Sequence, residues 1–147
     1  MSPKRKKSPL KTSHKAIPTH PQARVVTLAM YDYHIVEGNG KHTLVGIFDT
    51  LGAKQFPAQF RFYLFIKFAG NPGQHAAKIE LRDKTNGKAI LGVPDIEFNI
   101  SALPVAYHDL VTQINLEIAG PGVYEWQVAL DKRLPGGLYA FQVVGRN

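Results

Sequence analysis

Beyond residue 24, apolar and polar residues alternate with a period of two along most of the chain. The clearest run is 60–68, where Phe60, Phe62, Leu64, Ile66 and Phe68 fall on one face and Arg61, Tyr63, Phe65 and Lys67 on the other. Successive side chains of a strand point to opposite faces, so this spacing predicts a strand packed on one side against a core. Tyr124, Trp126, Val128 and Leu130 repeat the pattern, as do Ile114, Leu116 and Ile118, Ile79 and Leu81, and Ile96, Phe98 and Ile100. Trp126 is expected inside. Val26, Leu28 and Met30 are placed on one face of an earlier strand, with Asp32 at its end.

Turn residues separate these runs. Gly38-Asn39-Gly40, Asn71-Pro72-Gly73, Asn86-Gly87, Gly120-Pro121-Gly122 and Pro135-Gly136-Gly137 supply the backbone freedom that tight turns need. The spacing predicts about eight strands, near 25–35, 42–49, 60–68, 76–83, 88–100, 108–118, 123–131 and 138–144. No amphipathic stretch of helical length competes with them. The expected fold is all-β, a single antiparallel β-sandwich or barrel. The segment His42–Phe48 is apolar on both faces. It reads as a central strand covered on both sides, or as one whose Thr43–Val45–Ile47 face meets a partner or a second copy.

Charge divides the chain in two. Among the 147 residues, Lys and Arg exceed Asp and Glu by 18 to 11, a net charge of +7. Residues 1–24 hold seven of the positive charges and no acid, so the remainder is formally neutral. Pro3, Pro9, Pro18 and Pro21 interrupt any helix there, and large apolar residues are few. The expected organisation is a disordered basic tail over 1–23 and a β-sandwich domain over 24–147. Lys4, Arg5, Lys6, Lys7, Lys11 and Lys15 are the candidate polyanion contacts, most simply to nucleic acid. No apolar run follows Lys7, so a secretory signal is not expected. No membrane-spanning segment is expected either.

Tyr31-Asp32-Tyr33, then Gly40-Lys41, then Leu44-Val45-Gly46-Ile47-Phe48-Asp49 resembles the opening of an uncharacterised bacterial domain family of unknown function, whose members are small β-sandwich proteins. Arg61-Phe62-Tyr63, and Gly120-Pro121-Gly122-Val123-Tyr124 leading to Asp131, fit the same pattern. The resemblance covers roughly 25–144. It implies an immunoglobulin-like sandwich in the bacterial cytoplasm and lends no catalytic residue. Independently, a tyrosine just after a turn glycine can anchor a crossing loop through its hydroxyl, a part open to Tyr124.

The chemistry expected from these residues is sparse. The chain has no cysteine, which excludes disulfides, thiolate metal sites and cysteine nucleophiles. Ser101 lacks a nucleophile context. Gly40-Lys41-His42-Thr43 has Ile35 and His42 where a phosphate-binding loop needs Gly and Ser or Thr. Asp32, His34 and His42 around the first hairpin, and His108 and Asp109 later, are the residue types that bind metals. They read better as strand-end polar groups, and no metal or other cofactor is expected. Asp32 is expected to hydrogen-bond structurally. The protein is therefore expected to be a non-enzymatic binding module. The alternatives are a structural or oligomerising protein, or a small enzyme with an unrecognised carboxylate or histidine site. Arg61, Tyr63, Phe65 and Lys67 form the candidate partner face. A protein partner, a second copy or stacked single-stranded nucleic acid would each suit it.

Overall fold

A computed structural model describes residues 23–102 and 106–147, without the side chains of 134–137. The candidate tail contacts from Lys4 to Lys15 lie outside the described residues. Among those residues there are nine strands and no helix. They are β1 (Ala23–Val36), β2 (His42–Phe48), β3 (Thr50–Ala53), β4 (Ala58–Gly70), β5 (Gly73–Asp83), β6 (Ala89–Ile100), β7 (Tyr107–Ile118), β8 (Gly122–Leu130) and β9 (Arg133–Gly145). The first sheet has the order β2-β1-β4-β7, the second β3-β9-β8-β5-β6. No helix is long and apolar enough to cross a membrane among the described residues.

One apolar interior is shared by both sheets. Phe62, Leu64, Ile66 and Phe68 of β4 meet Ile79 and Leu81 of β5, Phe98 of β6 and Tyr124, Trp126 and Val128 of β8. These are the period-two faces of each strand, and burying them is the main stabilising term. Trp126 has no exposed surface, as the alternation predicts. Its indole N–H donates to the Met30 sulfur at 3.3 Å, tying the two sheets together. The Tyr124 hydroxyl donates to the Gly120 carbonyl at 2.8 Å, so this tyrosine does anchor the β7–β8 crossing.

Four features depart from the sequence expectation. Thr50–Ala53 is a strand, pairing in parallel with β9, so the second sheet is not wholly antiparallel. The β8–β9 reversal sits at Asp131 and Lys132, both with positive φ (50° and 65°), and Pro135-Gly136-Gly137 lies inside β9. Two positive φ values in a two-residue loop match the twist of antiparallel strands. In β1 the register shifts between Val25 and Thr27. That bulge returns Val25 to the interior and leaves Val26 exposed, off the face of Leu28 and Met30. Finally, β2 is an edge strand, not a central one, and Val45 and Ile47 are exposed.

Candidate functional site

The outer face of the first sheet is covered by part of its own first hairpin. Pairing of β1 with β4 ends at Tyr31 opposite Tyr63, whereas β1 and β2 stay paired to Val36 opposite His42. Phe65 pairs with Ala29. A flat β1 would carry Val36 about 23 Å beyond Ala29. Yet the His42 ring lies 6.1 Å from the Phe65 ring, and the His34 ring 6.2 Å from Tyr63. The hairpin therefore folds back across the sheet.

The bend lies at Asp32 and Gly46, which oppose each other between the Tyr31–Ile47 and Tyr33–Val45 pairs. Gly46 has φ of 72°, and a Cβ there would collide with the Asp32 carboxylate. Only glycine combines that backbone angle with so close a neighbour at low cost. The strand also turns over here. Tyr31 and His34, three apart, would point to opposite faces of a regular strand, but the Tyr31 hydroxyl and His34 Nδ1 are 2.8 Å apart.

Beneath the fold-back lies a polar aromatic cluster. Tyr31 has no exposed surface and stacks on Tyr63 with ring centres 5.7 Å apart. His34 Nε2 and His42 Nδ1 are 3.1 Å apart, completing a chain of Tyr31, His34 and His42. Burial, with a smaller contribution from the Tyr63 hydroxyl, pushes the Tyr31 hydroxyl pKa up to about 12. Burial also lowers the His34 pKa, as does the nearby His42. Near neutral pH the cluster thus holds an un-ionised tyrosine beside an uncharged His34.

The candidate metal residues separate. His34 and His42 meet, but Asp32 turns toward Gly46. His108 stacks on Phe98 with ring centres 4.9 Å apart, and Asp109 bonds Lys67 at 2.6 Å. The expected partner face also changes character. Arg61, Tyr63, Phe65 and Lys67 do share one side of β4, but Phe65 is only 6% exposed and is not open to a partner. Lys67 is held by Asp109 and lies 5.1 Å from the Tyr107 ring centre. Arg61 is exposed, and its guanidinium donates to the Gln113 side-chain oxygen. The alternation in β4 is real, but it carries no sign that a hairpin lies over its outer side.

What the fold leaves open is the outward side of the hairpin. Tyr33 is 68% and Ile47 65% exposed, and Ile35, Val36 and Val45 are also exposed. Tyr33 and Val45 are direct cross-strand partners, and Ile35 opposes Thr43. Tyr33, Ile35, Thr43 and Val45 share one side of the hairpin and form a continuous uncharged surface, whereas Ile47, paired with Tyr31, lies beyond the Gly46 bend on the other side. The sequence places Thr43, Val45 and Ile47 on one face; the reversal at Gly46 separates Ile47 from it, and the contribution of Tyr33 and Ile35 needed the register. Beside Ile47 a cleft of about 390 Å³ opens between the sheets, lined among others by Met30, Phe48, Asp49, Trp126, Tyr139 and Phe141.

Comparison with known proteins gives a family but no activity. Residues 25–143 match the Family of unknown function (DUF6941). No curated protein matches the chain. Among solved structures, the Pseudomonas fluorescens alkylpurine DNA glycosylase AlkC, bound to DNA containing an abasic site analog, is similar with 11% identity and a TM-score of 0.41. The similarity covers 79% of this chain and 30% of the glycosylase chain.

Proposed function

The chain belongs to this family of unknown function, and from that premise we propose a non-catalytic interaction module that docks a protein partner through the outward side of the β1–β2 hairpin. The observation that carries it is the exposure of Tyr33, Ile35 and Val45 on one side of the hairpin, with Tyr33 directly opposite Val45. Single exposed apolar residues are ordinary, but a contiguous uncharged patch marks an interaction surface. Tyrosine and branched aliphatics without charge are also the composition of an interface centre. In this reading the two sheets form an immunoglobulin-like sandwich in the bacterial cytoplasm, and the basic residues 1–24 hold the module near a polyanion such as nucleic acid.

Purification of the tagged protein from its native host tests this. The wild type should recover a stoichiometric partner that the double variant Tyr33→Asp, Val45→Asp loses while keeping its thermal midpoint. Equal recovery by both proteins would remove the hairpin from the account. A second reading, self-association, is favoured by the free edge of β2. It lacks the lysine, proline or short length that commonly protects such edges. Light scattering on the purified protein separates the two readings.

A further inference from the structure

We propose that His34 and His42 form a binding site for a borderline divalent transition-metal ion, held between His34 Nε2 and His42 Nδ1 beneath the folded hairpin. Zinc binds imidazole nitrogen at about 2.0–2.1 Å, so two nitrogens at 90–110° around one ion stand roughly 2.9–3.4 Å apart. The two ring nitrogens are 3.1 Å apart. The rings come from diagonal positions of a paired hairpin, since His34 opposes Leu44 and His42 opposes Val36. The backbone ladder therefore fixes their separation.

The surroundings fit a ligand pair. A metal-bound histidine is usually oriented by a hydrogen bond from its other ring nitrogen. The Tyr31 oxygen, 2.8 Å from His34 Nδ1, supplies that acceptor. Tyr31 itself is packed on Tyr63, which fixes it in place. Binding needs no net loss of a proton. The ring hydrogen now shared between Nε2 and Nδ1 moves to an outer nitrogen, so His34 carries its hydrogen on Nδ1 toward Tyr31 and His42 carries its own on Nε2. Both inner nitrogens are then left with free lone pairs for the ion. Among the described residues no third histidine or carboxylate joins the pair, so water would complete the coordination. Imidazole donors suit zinc, copper and nickel rather than magnesium or calcium. An ion here would pin the hairpin to itself at the point where it crosses Phe65.

Calorimetric titration of the full chain with zinc alone tests the site. The wild type should show a one-to-one event that is lost in both His34→Gln and His42→Gln and kept in His108→Gln. Retention of the event in either of the first two variants, or its absence from the wild type, overturns the proposal. Should both variants fold poorly, histidine NMR of the wild type decides. Substoichiometric copper should broaden the His34 and His42 ring signals before those of His75 and His108. Broadening confined to His14 and His20 would overturn the proposal.

Discussion

The buried His75 ring pairs with the half-buried Asp131 carboxylate across one end of the second sheet. The His75 side chain has no exposed surface, with Nδ1 2.8 Å from Asp131 Oδ2 and Nε2 2.8 Å from the Asn71 carbonyl. Both partners are acceptors, so when both bonds are made each ring nitrogen carries hydrogen, as in an imidazolium. Asp131 Oδ1 also accepts from the Ala76 amide at 2.9 Å, which holds the positive-φ turn in place. Burial opposes the charge on His75, but the Asp131 bond, the Asn71 carbonyl and the carboxylate charge together raise its pKa.

That pair sets a pH dependence of known sign. A histidine whose folded pKa is raised contributes fully below its unfolded value, about 6.5, and loses that contribution as pH rises through the folded value. His34, lowered by burial and by His42, acts oppositely and costs stability as pH falls below about 6.5. Thermal melts across pH 5–8.5 should show both slopes. Asp131→Asn should remove the loss on the alkaline side, and His34→Gln the loss on the acid side. An unchanged alkaline slope in Asp131→Asn would show that His75 is not the titrating group. That variant should also lose about 1–3 kcal/mol near pH 6, the usual cost of a buried group left short of its partner.

Gly46→Ala tests the bend. The substitution adds the strain of a left-handed residue, about 1–2 kcal/mol, and a collision with Asp32. Denaturant unfolding should show a loss of at least that size. Gly40→Ala, also at positive φ but with open space around it, should lose only the strain. Equal losses would mean that Asp32 does not hold the bend.

Trp126→Ala should cost about 3–5 kcal/mol, the range for deleting a large buried aromatic. Marginal total stability, about 5–15 kcal/mol, leaves little of the fold after that. Native fluorescence of Trp126 should be blue-shifted. A maximum typical of water would place the indole outside the interior.

Any affinity for nucleic acid should reside in the tail. The body after residue 24 is formally neutral, while Lys4, Arg5, Lys6, Lys7, Lys11 and Lys15 can neutralise phosphates. About 5–7 neutralised phosphates give a log–log salt slope of about −4 to −6 on duplex DNA. Replacing Lys4–Lys7 by Ala should remove more than half of it. If a protein lacking residues 1–22 binds as well, charge in the tail is not the anchor.

Much of the fold was legible because period-two alternation reports directly which side of a strand faces oil. Phe62–Phe68 and Tyr124–Leu130 show this in its plainest form. Features that depend on pairing were not legible. Thr50–Ala53 is four residues without alternation, and its parallel partner lies some ninety residues away in β9. The Asp131-Lys132 reversal lacks glycine, so the Gly-rich 135–137 stretch drew the turn instead. At the site, His34 and His42 were visible as a pair across a hairpin, but spacing alone also admitted Asp32. Only the reversal of faces between Tyr31 and His34 shows that the hairpin crosses β4, covers Phe65 and turns Tyr33 and Val45 outward.

Amide hydrogen exchange on the complex purified from the native host tests the docking surface most directly. Compared with the isolated protein, the complex should gain protection at 33–36 and 43–47, where the hairpin edge and its apolar side meet the partner. Protection confined to 1–22 or to the polar outer side of β5 and β8, with the hairpin exchanging as in the free protein, would contradict the account.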